Sequence, residues 1–441
     1  MKYSAYPSYK DSGVEWLGDV PSEWNVVRNK QVFSFIKQLV GKKSEDYTLL
    51  SLTLQGIKVR DVESGKGKFP AEFDTYQSVV EDDMVFCLFD IDETPRTVGI
   101  STYRGMITGA YNVVRCNAGI VPRFMYYYYL SVDEYKGLRP FYTGLRKVVR
   151  ADTFMNIQLS IPSYQEQQAI VNFLDKATAR INILLEKQTK LIELLKEKRQ
   201  AVVSTIVVSG LNGDVPIQDI GIEWIEGIPK HWKLSRLRFV FSFCTGLSIT
   251  KANLIDEGGT PCVNYGEIHS KFGFEVDVNK HQLKCVDNSY LSNSKSSLLS
   301  MGDFVFADTS EDIKGSGNFT YISGEKKIFA GYHTIVARQT TKQNSRFLAY
   351  LIDSEVFRRQ IRLAVKGVKV FSITQAILKD AKVWLPDIGE QKSIVNLLDK
   401  KTQRIDSLIT KATQSIVLLK EKRTTLISSA VTGRIDVREV A

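Results

Sequence analysis

A chain of 441 residues is longer than a single hydrophobic core usually organises, so two or more domains are expected. Its 43% hydrophobic and 24% charged residues exclude a disordered or fibrous protein, and no run reaches the roughly 18 apolar residues of a membrane span. A net charge of +10 points to a polyanionic partner, nucleic acid first. The opening Met1-Lys2-Tyr3-Ser4-Ala5-Tyr6 lacks the apolar core of a secretion signal, and five scattered cysteines (Cys87, Cys116, Cys244, Cys262, Cys285) form no CxxC pair. A reducing, cytoplasmic location is therefore expected, without a disulfide framework or zinc ribbon.

In chain order, Asp11-Ser12-Gly13-Val14-Glu15-Trp16 leads to Pro21, Trp24 and Phe33-Ser34-Phe35. Segments 47–54, 84–88 and 109–115 read as strands, rich in β-branched and aromatic residues, and 124–130 as a short helix. From 163 to 208 there is neither proline nor glycine, which predicts one long helix, with Ser163 and Glu166 spaced as a capping box. A turn-rich stretch begins at Gly210, and then the pattern restarts. Asp219-Ile220-Gly221-Ile222-Glu223-Trp224, Pro229, Trp232 and Phe241-Ser242-Phe243 repeat the opening at an offset of 208. A strand is expected at 304–307, a helix at 347–357 and a second long helix at 387–432. By then the offset has grown to 224, so the second copy has gained about fifteen residues inside its globular part.

The match is densest in the long helices. Glu166-Gln167, Ile170-Val171-Asn172, Leu174-Asp175-Lys176 and the tail at 194–199 return as Glu390-Gln391, Ile394-Val395-Asn396, Leu398-Asp399-Lys400 and 418–423. Apolar residues at steps of three and four form a seam of Leu174, Ile181, Leu185, Ile192, Leu195 and Val202, mirrored by Leu398, Ile405, Ile409, Ile416, Leu419 and Leu426. About 45 residues make a rod of roughly 65–70 Å. The competing reading packs each helix only on its own domain. The repeat is also circular: the segment after the second helix, Thr432-Gly433-Arg434, finds its continuation near Tyr9 to Trp16, so the termini are expected to meet. The fold class is α+β, with two mixed α/β domains separated by two long helices in an antiparallel coiled coil, arranged as a pseudo-twofold circular repeat. The expected boundaries are 1–162, 163–208, 209–386, 387–432 and a tail at 433–441.

Candidate nucleic-acid contacts lie in basic, glycine-rich loops, where cations and backbone N–H groups can meet phosphates. In the first domain these are Lys58, Arg60, Lys66, Lys68, Arg146, Lys147 and Arg150; in the second they are Lys314, Asn318, Lys366 and Lys369. Tyr111-Asn112 and Tyr332-His333 set an aromatic beside a side chain able to meet a base edge. Catalytic patterns are lacking: there is no P-loop, dinucleotide fingerprint, methylation motif or Ser-His-acid set. Asp312 with Glu325-Lys326-Lys327 lacks the strand context of a nuclease site, and Cys262, His269, His281 and Cys285 lack regular zinc spacing. The chain reads as a non-catalytic reader or, alternatively, as a tandem-repeat scaffold bridging proteins.

The paired Gly-x-Glu-Trp…Pro…Trp openings, the Pro…Glu-Gln…Ile-Val…Leu-Asp helix starts and the Leu-Leu-Lys-Glu-Lys-Arg tails resemble the DNA-specificity subunits of type I restriction–modification systems along essentially the whole chain. The resemblance implies two target-recognition domains, each reading one half of a split site on double-stranded DNA. It implies helices that set the spacing and dock two methyltransferase subunits, with a translocating restriction subunit joining them. S-adenosylmethionine and ATP with Mg are implied on those partners; no cofactor or metal is expected on this chain.

Overall fold

The computed structural model describes residues 3–60, 73–367 and 370–439. They form two compact units, one of residues 1–189 and 413–441 and the other of 190–412. No helix among the described residues is long and apolar enough to cross a membrane.

In the first unit, a four-stranded antiparallel sheet runs in the order Phe33–Phe35, Asn112–Cys116, Met84–Phe86, Val98–Ile100. Its side chains alternate between faces, as a strand's period of two requires. Met84, Phe86 and Val114 enter a core with Phe124, Met125 and Tyr129 of the helix Pro122–Glu134. Val85 and Val113 face the other way, toward Leu50 and Ile57 of the hairpin Leu50–Thr53/Gly56–Val59 and Val79 and Ile107 of a second strand pair. The sheet is thus covered by a helix on one face and smaller β elements on the other.

The second unit repeats this plan. Its sheet runs Phe241–Thr245, Thr334–Gln339, Phe304–Ala307, Phe319–Ile322 and then gains a fifth, parallel edge strand, Glu275–Val276. Phe304 and Phe306 face the core around Phe347 and Tyr350, while Val305 and Ala307 face Val263 and Ile328. The extra strand comes from a local expansion. Where the first domain's hairpin turns through Leu54–Gln55, the matching pair Thr260–Val263/Cys285–Val286 is separated by residues 264–284, which carry the helix Tyr265–Ser270 and that strand.

The long helices span Tyr164–Ser209 and Ile388–Val431. They run antiparallel in both units. In the first, Ile170, Val171 and Leu174 near the start of one share a core with Leu426, Ile427, Ala430 and Val431 near the end of the other. In the second the roles exchange: Val203 and Val207 meet Ile394, Val395 and Leu398, and Arg199 pairs with Asp406 at 3.1 Å. Of the seam residues, Leu174, Ile181, Leu195, Leu398, Ile405 and Leu426 are buried, and Leu185, Ile192, Val202, Ile409, Ile416 and Leu419 are half-buried. Each helix also reaches the domain that does not precede it, so the reading with each helix packed only on its own domain is set aside.

The circular repeat closes inside the first unit. Ser4 bridges Asp436, whose N–H donates to the Ser4 carbonyl at 2.8 Å, and the Tyr9 hydroxyl donates to the Gly433 carbonyl at 3.0 Å. Gly433 ends its helix with φ +73 against Trp24, as Gly210 does with φ +72 against Trp232. A left-handed residue after the last turn favours glycine, which explains the recurrence.

Local expectations need correction in three places. Residues 109–111 form a turn, and the strand begins at Asn112; a Cβ on Gly109 would meet the Thr75 carbonyl at 2.3 Å. Residues 347–357 are not one helix: Ser345–Asp353 and Glu355–Ala364 meet at Ser354, extended at φ −63, ψ 143, whose hydroxyl accepts from Phe357 N–H at 3.3 Å and caps the second helix. Only half the capping box forms at Ser163. Glu166 N–H donates to its hydroxyl at 3.3 Å, while the Glu166 carboxylate turns away to accept from Tyr6 and Trp24.

Candidate nucleic-acid interface

The repeated sequence motifs build a seat that holds each globular domain on its following helix. Trp24 Nε1–H donates to Glu166 at 3.0 Å, and Trp232 Nε1–H to Glu390 at 3.0 Å. Gln167 accepts from Val121 N–H at 2.8 Å and donates to the Pro162 carbonyl at 3.0 Å; Gln391 does the same with Asn344 at 2.8 Å and Pro386 at 2.9 Å. Asp175 takes Arg123 at 2.7 Å and the Tyr127 hydroxyl at 2.5 Å, and Asp399 takes Arg346 at 2.7 Å and Tyr350 at 2.6 Å. Burial and the neighbouring carboxylate push the Tyr127 phenol up to about 12 and Tyr350 upward likewise, so both stay protonated donors. These polar contacts are paired on both sides, as buried groups must be. The motifs are therefore a frame, and what distinguishes the domains lies on the loops carried by their sheets.

In the first domain, three of those loops converge. Tyr111 stacks on Phe89 at 6.1 Å and 22°, and the Arg146 guanidinium lies 5.6 Å from the same Phe89 ring. The Arg146 carbonyl accepts from Asp90 N–H at 2.8 Å, and Val149 N–H donates to Leu88, which fixes the loop 143–148 beside the strand end. The Arg146 side chain stays 76% exposed, loosely paired with Asp90 at 3.6 Å. Lys147 is neutralised instead, at 3.1 Å from Asp92 and 3.3 Å from Glu93. Asn112 is half-buried in its strand, Arg150 is exposed at the start of the helix Ala151–Asn156, Lys58 is exposed on the hairpin and Arg60 half-buried beyond it. Lys66 and Lys68 lie outside the described residues.

The second domain brings together an equivalent set. Thr309–Ser310 pairs with Phe371–Ser372, and Lys366 bridges Ser372 as Thr143 bridges Val148. Tyr332 and the exposed His333 project from the turn after Ile328–Ala330, with His333 Nδ1 3.3 Å from Asp308. Lys314 and Lys366 are exposed; Lys369 lies outside the described residues. Asn318 is not free to read a base: its amide donates to His269 Nδ1 at 2.8 Å and its oxygen accepts from Arg358. The zinc-like quartet does not converge, since His269 Nε2 meets the Thr309 carbonyl at 2.9 Å, His281 Nδ1 accepts from Asp277 N–H at 3.1 Å, and burial pushes the Cys262 thiol up. Sequence reasoning missed Phe89, Asp308 and Tyr265, and weighed His269 only as a zinc ligand. The last two stand at i, i+4 spacing, one helical face apart by a turn, which was a usable signal.

Comparison with known proteins agrees with this duplicated plan. The family model described as "Type I restriction modification DNA specificity domain" matches residues 97–195 and 229–417. The chain is 21% identical over 431 residues to the type I restriction enzyme MjaVIII specificity subunit of Methanocaldococcus jannaschii, covering 96% of this chain and 95% of that one. A chain solved in work on complex assembly and conformational transition of the type I R-M system superposes with a TM-score of 0.68 at 14% identity, over 93% of this chain and 98% of that one. The HsdS subunit from Thermoanaerobacter tengcongensis aligns over 94% of this chain and 98% of its own, at 14% identity and a TM-score of 0.48.

Proposed function

Because the chain belongs to the type I restriction–modification DNA specificity family, we propose that it is the sequence-reading subunit of such an assembly, each globular domain reading one half of a bipartite site in double-stranded DNA. The observation that carries this reading is the pairing of matching seats with different rims. The contacts of Trp24, Gln167 and Asp175 recur at Trp232, Gln391 and Asp399, while the loops bearing Tyr111, Arg146, Tyr332 and His333 diverge. The antiparallel helices set the length of the unread gap, as half-site spacing follows from the geometry of a dimeric reader.

The chain's own part is recognition, not chemistry. Methylation and its S-adenosylmethionine reside on two methyltransferase subunits, and ATP with Mg on a restriction subunit. The helices offer surface for such partners: Ile183, Leu184, Leu191 and Leu194 of the first, and Leu408, Val417 and Leu418 of the second, are each at least 44% exposed.

Two measurements test the reading. Binding of the assembled complex to duplex DNA should weaken steeply with salt as counterions are released; salt-independent binding to protein partners alone fits a scaffold instead. Inserting four helical residues near Lys190 adds about 6 Å and should lengthen the methylated site's gap by roughly one or two base pairs. An unchanged gap in methylation mapping would overturn the spacing role.

A further inference from the structure

Residues 264–284, the segment that opens the second domain's hairpin, lean directly on the turn bearing Tyr332 and His333. Their helix Tyr265–Ser270 is rooted by Ile268, fully buried with Val263, Val305 and Ile328. Its outer side meets the turn: the Tyr265 ring lies edge-on to Tyr332 at 5.6 Å and to His333 at 5.3 Å. The junction admits no side chain between them. A Cβ on Gly331 would fall 1.9 Å from Asn264 Oδ1, and Gly331 N–H donates to the Val263 carbonyl at 2.8 Å.

His333 itself is held in an unusual state. Its φ of +53 is a left-handed conformation that a residue with a Cβ adopts only under strain, and such strain gathers at binding sites. Its side chain is nevertheless 58% exposed, with Nδ1 3.3 Å from the Asp308 carboxylate. In the tautomer that carries its hydrogen on Nδ1, Nε2 is an acceptor, matched to the amino group of adenine or cytosine in the major groove.

We propose that segment 264–284 is a specificity element of the second domain: Tyr265 positions His333, whose Nε2 reads the amino group of one base pair in the second half-site. The first domain has no such braced imidazole, since its hairpin closes through Leu54–Gln55 and its turn carries Tyr111-Asn112. This inference rests on the DNA-reading function above.

The test is methylation mapping of the fully assembled complex on a random-sequence duplex library, comparing the parent with His333→Ala, Tyr265→Ala and Tyr265→Phe. Loss of one hydrogen bond predicts that His333→Ala lowers discrimination at one position of the second half-site by roughly three- to tenfold. Tyr265→Ala should relax that same position, and Tyr265→Phe, which keeps the ring, should restore it. The first half-site, unchanged throughout, is the internal control. If Tyr265→Ala prevents assembly, His333→Ala decides alone, because its side chain is exposed. Parent-like discrimination at every second-half position in His333→Ala overturns the proposal, as does relaxation confined to the first half. Replacing residues 209–386 entire separates the two levels: if neither half-site then changes, the reading function fails, whereas a changed second half with an inert His333→Ala sinks this inference only.

Discussion

The first domain's hairpin turns through Leu54–Gln55, whereas its counterpart in the second opens between Val263 and Cys285 to admit a helix and an edge strand. Beneath this difference the two domains sit on their helices through the same tryptophan–glutamate, glutamine–backbone and aspartate–arginine–tyrosine contacts. Even here the expansion leaves a mark: Arg346 pairs with Glu275 of the added strand at 2.6 Å as well as with Asp399, while Arg123 has Asp175. Duplication has kept what bears on the helices and varied what faces outward. A domain can thus be remodelled at its rim without loosening its seat.

If the seats are equivalent, damage to them should be equivalent. Trp24 is fully buried and Trp232 is 2% exposed, so Trp24→Ala and Trp232→Ala should each cost about 3–5 kcal/mol in urea unfolding. A large loss at one position only would break the equivalence. A smaller effect tests a feature that belongs to the second domain. Ser354→Ala removes the cap on Glu355–Ala364 and should cost about 1 kcal/mol, with no corresponding break in the first domain's helix Pro122–Glu134. An unchanged midpoint would remove the cap's role in breaking the helix there. The smallest effect concerns the reading rim itself. Arg146→Ala should lower the salt slope of DNA binding by about one, because its guanidinium is exposed, and Lys147→Ala by less, because Asp92 and Glu93 already hold its charge. Equal slopes for the two variants would contradict that distinction.

Much of this architecture was legible in the residues because repetition filters them. A side chain that recurs at a fixed offset, such as Gln167 and Gln391, has to serve a contact both copies need, and the paired seats show which. The seam was legible for the same reason, since Leu174 and Leu398 keep their register while the loops between them change. Element ends were harder. The break at Ser354 depends on one hydroxyl finding Phe357 N–H, and the turn at 109–111 on the approach of the Thr75 carbonyl to Gly109. The candidate interface was legible as composition but not as charge. Lys147 and Arg146 are neighbours in sequence, yet Lys147 is held by two acids, Asp92 and Glu93, at 3.1 and 3.3 Å, whereas Arg146 is only loosely paired with Asp90 at 3.6 Å. Asn318 looked like a reader and proves to be bound to His269 and Arg358, partners that only the fold brings near. Tyr265 went unread, and His269 was weighed only as a zinc ligand, because the segment that carries them has no copy with which to compare it.

The central claim, that one frame carries two independent readers, is tested most directly by exchange. Residues 17–160 are replaced with the corresponding domain of a second specificity subunit, and the sites methylated by the assembled complex are mapped. The account predicts a new sequence in one half-site, with the other half and the gap unchanged. Alteration of both halves, or of neither, would contradict it.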